Sequence, residues 1–196
     1  MTPQHEITRD DVLAMDDYVK VRPARKKSVT ELKKNRRVSV GPDATFYFES
    51  YDTMLHQVHE MLYIERGGED QIADELSAYN PLIPKGRELV ATLMFEIEDA
   101  ARRADFLAGL GGVEETVTMT IGGETIAGQP ELDVDRTNAD GKASSIQFLH
   151  FAFTDTQAEK FKDPSVDVVL GIGHEKYGHM AKLSDTVKSA LGGDFD

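Results

Sequence analysis

The spacing of hydrophobic positions changes several times along the chain, and each change marks a new element. Thr8, with Asp11 three residues on, has the form of an N-cap and first-turn acid, and Val12, Leu13 and Met15 follow on one helical face. Pro23 should end that helix, leaving a short basic helical turn over residues 28–34. Apolar and polar residues then alternate over 37–40 and 45–49, either side of Gly41-Pro42-Asp43-Ala44, which predicts a β-hairpin. A helix capped at Asp52 or Thr53 should run to about Arg66 with Met54, Val58 and Met61 on one side, and Gly67-Gly68 should stop it. A further helix over 69–79 buries Ile72 and Leu76, and the YNPLIP segment from Tyr79 leads away as an ordered loop.

In the second half the pattern gives a strand over 88–98, a helix over 99–108 and a strand over 113–121 extended across Gly122-Gly123. The polar stretch 133–142 is expected to be a loop with a turn at Asp140-Gly141. A strand over 144–154, a helix capped by Thr154 and a strand over 166–172 follow, and Ser184 caps a last helix that stops at Gly192-Gly193. The order β-α-β-β-α-β is that of the ferredoxin-like split βαβ fold. The fold class expected is therefore α+β, as a single domain over residues 1–196. Residues 87–196 would form the ferredoxin-like sheet, and residues 1–86 a lid of hairpin and helices. A lid is needed because both sides of the strands over 88–98 and 144–154 are too apolar to face water. Strand parity puts Glu96 and His150 on the lid side of neighbouring strands, which that fold would make parallel.

Composition sharpens this picture mainly by exclusion. The chain has 196 residues, 40% hydrophobic and 29% charged, as ordinary globular domains do. It has no cysteine, which excludes disulfides, thiolate metal sites and cysteine catalysis. No long apolar run suggests a transmembrane helix and no signal-like segment opens the chain, so the cytoplasm is the expected compartment. No phosphate-binding glycine loop or nucleophile elbow is present. The net charge is −13, yet residues 22–37 hold eight of the 22 basic residues against one acid, Glu31. That segment is +7, so the remainder is −20. An acidic body repels nucleic acid and anionic membranes. The basic segment also lacks aromatic residues for base stacking. It can neutralise the chain's own acids, or grip an acidic partner or a phosphate.

Four residues are candidates for chemistry. Glu96 and His150 could form a general acid–base couple or ligate a metal, and the lid could supply Glu49 and Glu60. Carboxylates with imidazole suit iron, manganese or zinc. A satisfied hydrogen bond between lid and sheet is the competing reading, and no choice between enzyme and non-enzyme follows from it. His56 and Glu60 share a helical face, but with His59 they form HxxHE, which is not the zincin motif. His174 and His179, near the end of the last strand, form a second polar site or a strand-end turn. In the split βαβ fold His174 would lie far from Glu96.

Three segments carry a resemblance to a known family. YNPLIPKGRELVATLMFE (residues 79–96), GPDATFYFE (41–49) and QVHEMLYIER (57–66) resemble a bacterial family known as domain of unknown function 3501, over nearly the whole chain. His174, Glu175 and Tyr177 fit the family's closing motif, whereas His56 and His59 depart from its pattern. The resemblance implies no established activity. It does imply gene proximity to rubrerythrin-like and iron–sulfur reductase proteins, hence an accessory or binding role in redox or peroxide stress. The alternative function is a small metal-dependent enzyme with a Glu/His site.

Overall fold

The hairpin is where pattern and structure agree most closely. In the computed structural model, which describes residues 4–131, 137 and 141–196, β1 (Arg37–Val40) and β2 (Ala44–Phe48) pair antiparallel. Val40 lies opposite Ala44, so Gly41, Pro42 and Asp43 make the loop. Gly41 has φ +74°, and a Cβ there would lie 2.7 Å from both the His179 ring and the Tyr177 hydroxyl, so only glycine fits. The expected loop over 133–142 lies mostly outside the described residues.

The first helix departs from expectation. Residues 9–11 form a 3-10 turn closed by the Thr8–Asp11 capping box, and α1 (Met15–Lys34) then runs through Pro23 without a break. Proline removes one backbone donor, to the carbonyl of Val19, and both residues are exposed, so water can satisfy that carbonyl. Tyr18 and Val29, on either side of Pro23, are buried on one face and hold the helix to its neighbour. Tertiary anchoring outweighs the local breaker. The next helices, α2 (Tyr51–Glu65) and α3 (Glu69–Tyr79), fall close to the expected limits. The cap of α2 is Ser50, whose hydroxyl accepts from the Thr53 amide.

The remaining elements are β3 (Glu88–Phe95), α4 (Ala100–Ala108), β4 (Val117–Ile121), β5 (Glu124–Ala127), β6 (Gln129–Pro130), β7 (Ile146–Ala152), α5 (Asp155–Lys162), β8 (Val168–His174), β9 (Tyr177–Lys182) and α6 (Asp185–Gly192). They form two antiparallel sheets, in the orders β1-β2-β3-β7-β6 and β5-β4-β8-β9. The class is α+β, as expected, but the ferredoxin-like arrangement is not what forms. β3 and β7 are neighbours, yet antiparallel, with Val90 opposite His150. β4 and β8 belong to the other sheet, where they pair with each other.

The physical reason lies in what covers the inner face of the first sheet. A split βαβ sheet packs that face under two helices, but α4 buries only Leu107 and α5 only Ala158 and Phe161. The second sheet does the covering instead. Phe46, Leu93, Leu149 and Phe151 of one sheet and Met119, Ile121, Leu170 and Ile172 of the other belong to one continuous apolar core. The opposite face of the first sheet carries a smaller cluster. There Val90 and Phe148 meet Met54, Leu55, Val58 and Leu62 of α2, Ile72 of α3, and Ile7, Leu82 and Ile83.

Candidate functional site

The antiparallel register decides the fate of the expected Glu/His centre. Glu96 directly follows β3 and has the strand parity of Val90, but it is Val90, six residues earlier, that is paired with His150. At ~3.3 Å per residue the two are about 20 Å apart. Glu96 is exposed and accepts a 2.8 Å hydrogen bond from the Tyr47 hydroxyl. His150 lies between Glu88 Oε2 (3.2 Å) and Glu131 Oε1 (3.3 Å), and the Glu88 contact raises its pKa above the ordinary imidazole value. Glu49 is buried, with one carboxylate oxygen 2.6 Å from Thr53 Oγ1 and the other 2.7 Å from Thr92 Oγ1. Glu60 lies between α1 and α2. The four residues occupy four separate hydrogen-bond networks, and among the described residues no group of three or more His, Asp or Glu side chains is placed to hold a metal.

The other histidines are mostly committed to the fold. His59 is fully buried, donates from Nδ1 to the Leu55 carbonyl (2.7 Å) and accepts at Nε2 from the Leu13 amide (3.0 Å). Those two bonds fix the neutral Nδ1–H tautomer, and burial lowers the pKa further. His174 Nδ1 accepts from the Lys176 amide in the β8–β9 turn. His179 packs beside Tyr177, whose hydroxyl donates to the Val40 carbonyl (2.8 Å) and accepts from the amides of Asp43 and Ala44 (both 3.0 Å). The closing motif thus ties the second sheet to the hairpin loop.

The residues brought together in a way that leaves chemistry open lie where α1 crosses α2. Tyr18 stacks on His59 at 4.6 Å, and its hydroxyl donates to Glu60 Oε1 at 2.6 Å. Arg22 grips the same carboxylate with both arms, at 2.7 and 2.8 Å, and lies over the Tyr63 ring at 4.2 Å. Donation from Arg22 and Tyr18 holds the Glu60 pKa down to about 2, whereas burial and the Glu60 charge raise that of the Tyr18 phenol. Two residues past the far end of α1, Arg36 is buried, donates to the carbonyls of Phe48 (3.0 Å) and Glu49 (2.8 Å), and forms an ion pair with Asp194. The helix is therefore anchored at both ends.

Arg25, Lys26, Lys27 and Lys33, with Arg37 just beyond, make no ion pair among the described residues, while Lys34 pairs with Glu31. Arg25 and Ser28 face Tyr51, Asp52 and His56 across a groove of about 650 Å³. His56 is half-buried; burial first, then the charges of Lys33, Lys26 and Arg22, lower its pKa. The arrangement offers a preformed cationic ridge beside a polar groove, able to bind anionic groups. The pattern had marked these cations as a cluster. It could not show Arg25, Lys26, Lys27 and Lys33 on one continuous helix, because Pro23 is a local signal to stop.

The profile of a family described as "Protein of unknown function (DUF3501)" matches residues 6–195. A crystal structure of a novel protein of unknown function from Burkholderia pseudomallei K96243 superimposes with a TM-score of 0.89 at 36% identity, covering 97% of this chain and 99% of that one. Among curated proteins nothing matches. No described helix is long and apolar enough to cross a membrane.

Proposed function

We propose a binding role for this chain, which belongs to the DUF3501 family: it is an accessory protein that docks an acidic protein surface on the ridge of α1. The observation that carries this is the set of five cations, Arg25, Lys26, Lys27, Lys33 and Arg37, without ion-pair partners among the described residues of a chain whose remainder is −20. A fold that needed those charges for its own stability would have paired them, as it paired Arg22 and Arg36. Anchoring at Glu60 and Asp194 pre-organises the ridge, which lowers the ordering cost of docking. The basic segment carries no aromatic side chain on which bases could stack, which favours a protein segment carrying Asp and Glu over a single-stranded nucleic acid.

The partner that the family resemblance would imply is a rubrerythrin-type or iron–sulfur redox protein in the cytoplasm, with a role in peroxide stress. The alternative, a metal-dependent Glu/His enzyme, has less support because Glu49, Glu60, Glu96 and His150 do not converge on one point. The test is titration of the protein with a Glu-rich peptide and with a rubrerythrin, using the wild type and Lys26→Glu/Lys33→Glu. Saturable binding that falls at least tenfold in the variant, as expected for reversing interfacial charge, supports the proposal. Binding of duplex DNA or RNA in preference to the acidic ligands would overturn it.

A further inference from the structure

A second cavity, away from the groove beside Arg25, has a different character. It lies where the start of α1, the end of α2 and the start of α3 meet, and encloses about 500 Å³, within the ~300–1,000 Å³ of small-molecule sites. Its walls are Leu13, Met15, Val19, Leu62, Tyr63 and Ile72. Val19 is 50% exposed there, so the cavity presents apolar surface to water.

The charges at its rim are not equivalent. Arg9 is held by both oxygens of Glu69, at 2.5 and 2.7 Å, and also donates to the Val12 carbonyl. Asp16 lies close enough to Lys20 for their charges to interact. Arg66 has no carboxylate partner among the described residues. It is also the only described non-glycine residue with positive φ, at +57°, in the cap position of α2 where glycine is the usual occupant. Arginine in that slot carries a backbone strain that no described side-chain contact of Arg66 offsets. Arg66 is one of the residues that line the cavity, and it is exposed to water.

We infer that this cavity binds a small amphiphile with one carboxylate, its chain lying along Leu13, Val19 and Ile72 and its head group on Arg66. An apolar chain takes up the exposed wall, and the planar fork of arginine suits a carboxylate held at two oxygens. This site is independent of the ridge, which is polar and lies on the other side of the α1–α2 contact.

The probe is decanoate, with decanol as the neutral ligand of equal chain length, followed by amide correlation spectra of the whole chain. Saturable shifts at Leu13, Val19 and Ile72 are expected with decanoate. Arg66→Gly, which relieves the left-handed strain and so preserves the fold, should weaken decanoate about tenfold and leave decanol unchanged. Val19→Glu, which puts a carboxylate on the wall, should weaken both ligands. Absence of saturable shifts at millimolar decanoate would overturn the inference. So would equal responses to decanoate and decanol that Arg66→Gly does not alter, or shifts confined to residues 25–33. The last outcome would leave ridge binding intact, so the two sites fail separately.

Discussion

Arg36 and Lys26 come from the same basic segment and meet opposite fates. Arg36 is 4% exposed, bonded to two backbone carbonyls and paired with Asp194, so its charge is consumed by the joint between the hairpin and the 194–196 segment. Lys26 is exposed and has no ion-pair partner among the described residues. Charge composition alone treats the two alike. The difference lies in burial: a cation taken out of water must be fully paired and hydrogen-bonded, whereas one left in water is free for a partner. The joint and the ridge are thus a closed and an open use of one sequence feature.

Breaking the closed use should have the largest effect. Arg36→Met strands the Asp194 carboxylate and the carbonyls of Phe48 and Glu49, and should cost ~3–5 kcal/mol in urea unfolding. An effect below ~1 kcal/mol would show that the joint tolerates an unpaired carboxylate. Glu60→Gln tests the anchor at the other end of α1. The folded Glu60 pKa of about 2 is below its ordinary value near 4.5, so its stabilisation is present above pH 4.5 and is lost as pH falls from there towards 2. Glu60→Gln should flatten this part of the pH–stability curve. A curve of unchanged shape would remove Glu60 from the account. Tyr177→Phe leaves three backbone groups of the hairpin loop without their hydroxyl partner and should cost ~1–3 kcal/mol.

His150 has the opposite pH sign and a smaller effect. Its folded pKa is raised by Glu88, so it stabilises the protein fully below the ordinary imidazole pKa, and this is lost as pH rises through the raised value. His150→Gln should make stability less dependent on pH on the alkaline side of 6.5. A histidine titration by NMR at or below 6.5 would contradict the Glu88–His150–Glu131 arrangement.

How legible the molecule was depends on the range over which each signal acts. The hairpin, α3 and the Thr154 and Ser184 caps follow from residues within a few positions of one another, and they formed as expected. Face assignments also held, since Leu93 and Phe151 point to the core and Glu96 and His150 to the other side. β3 and β7 are neighbours as expected, but their direction and the division into two sheets did not follow, because β-α-β-β-α-β order is shared by one mixed sheet and by two antiparallel sheets; which forms depends on whether the helices can cover a face. α4 and α5 are too short to do so. The expected proximity of Glu96 and His150 depended on the same choice, since reversing one strand moves residue partners by about 20 Å at ~3.3 Å per residue. Strand β9 was missed because YGHMAK is an exposed edge whose one well-buried side chain is Tyr177. Pro23 misled because its penalty is local while Tyr18, Arg22 and Val29 hold α1 from outside the helix.

The central claim is that the ridge serves binding and not folding, and one variant measured twice tests it. Arg25→Ala/Lys26→Ala/Lys33→Ala removes three cations and breaks no ion pair among the described residues. Its stability in urea should stay within ~0.5 kcal/mol per site of the wild type, as for ordinary surface changes, while its affinity for the Glu-rich peptide falls at least tenfold. A variant that loses stability but binds the acidic peptide as tightly as the wild type would contradict the account, because the ridge would then belong to the fold.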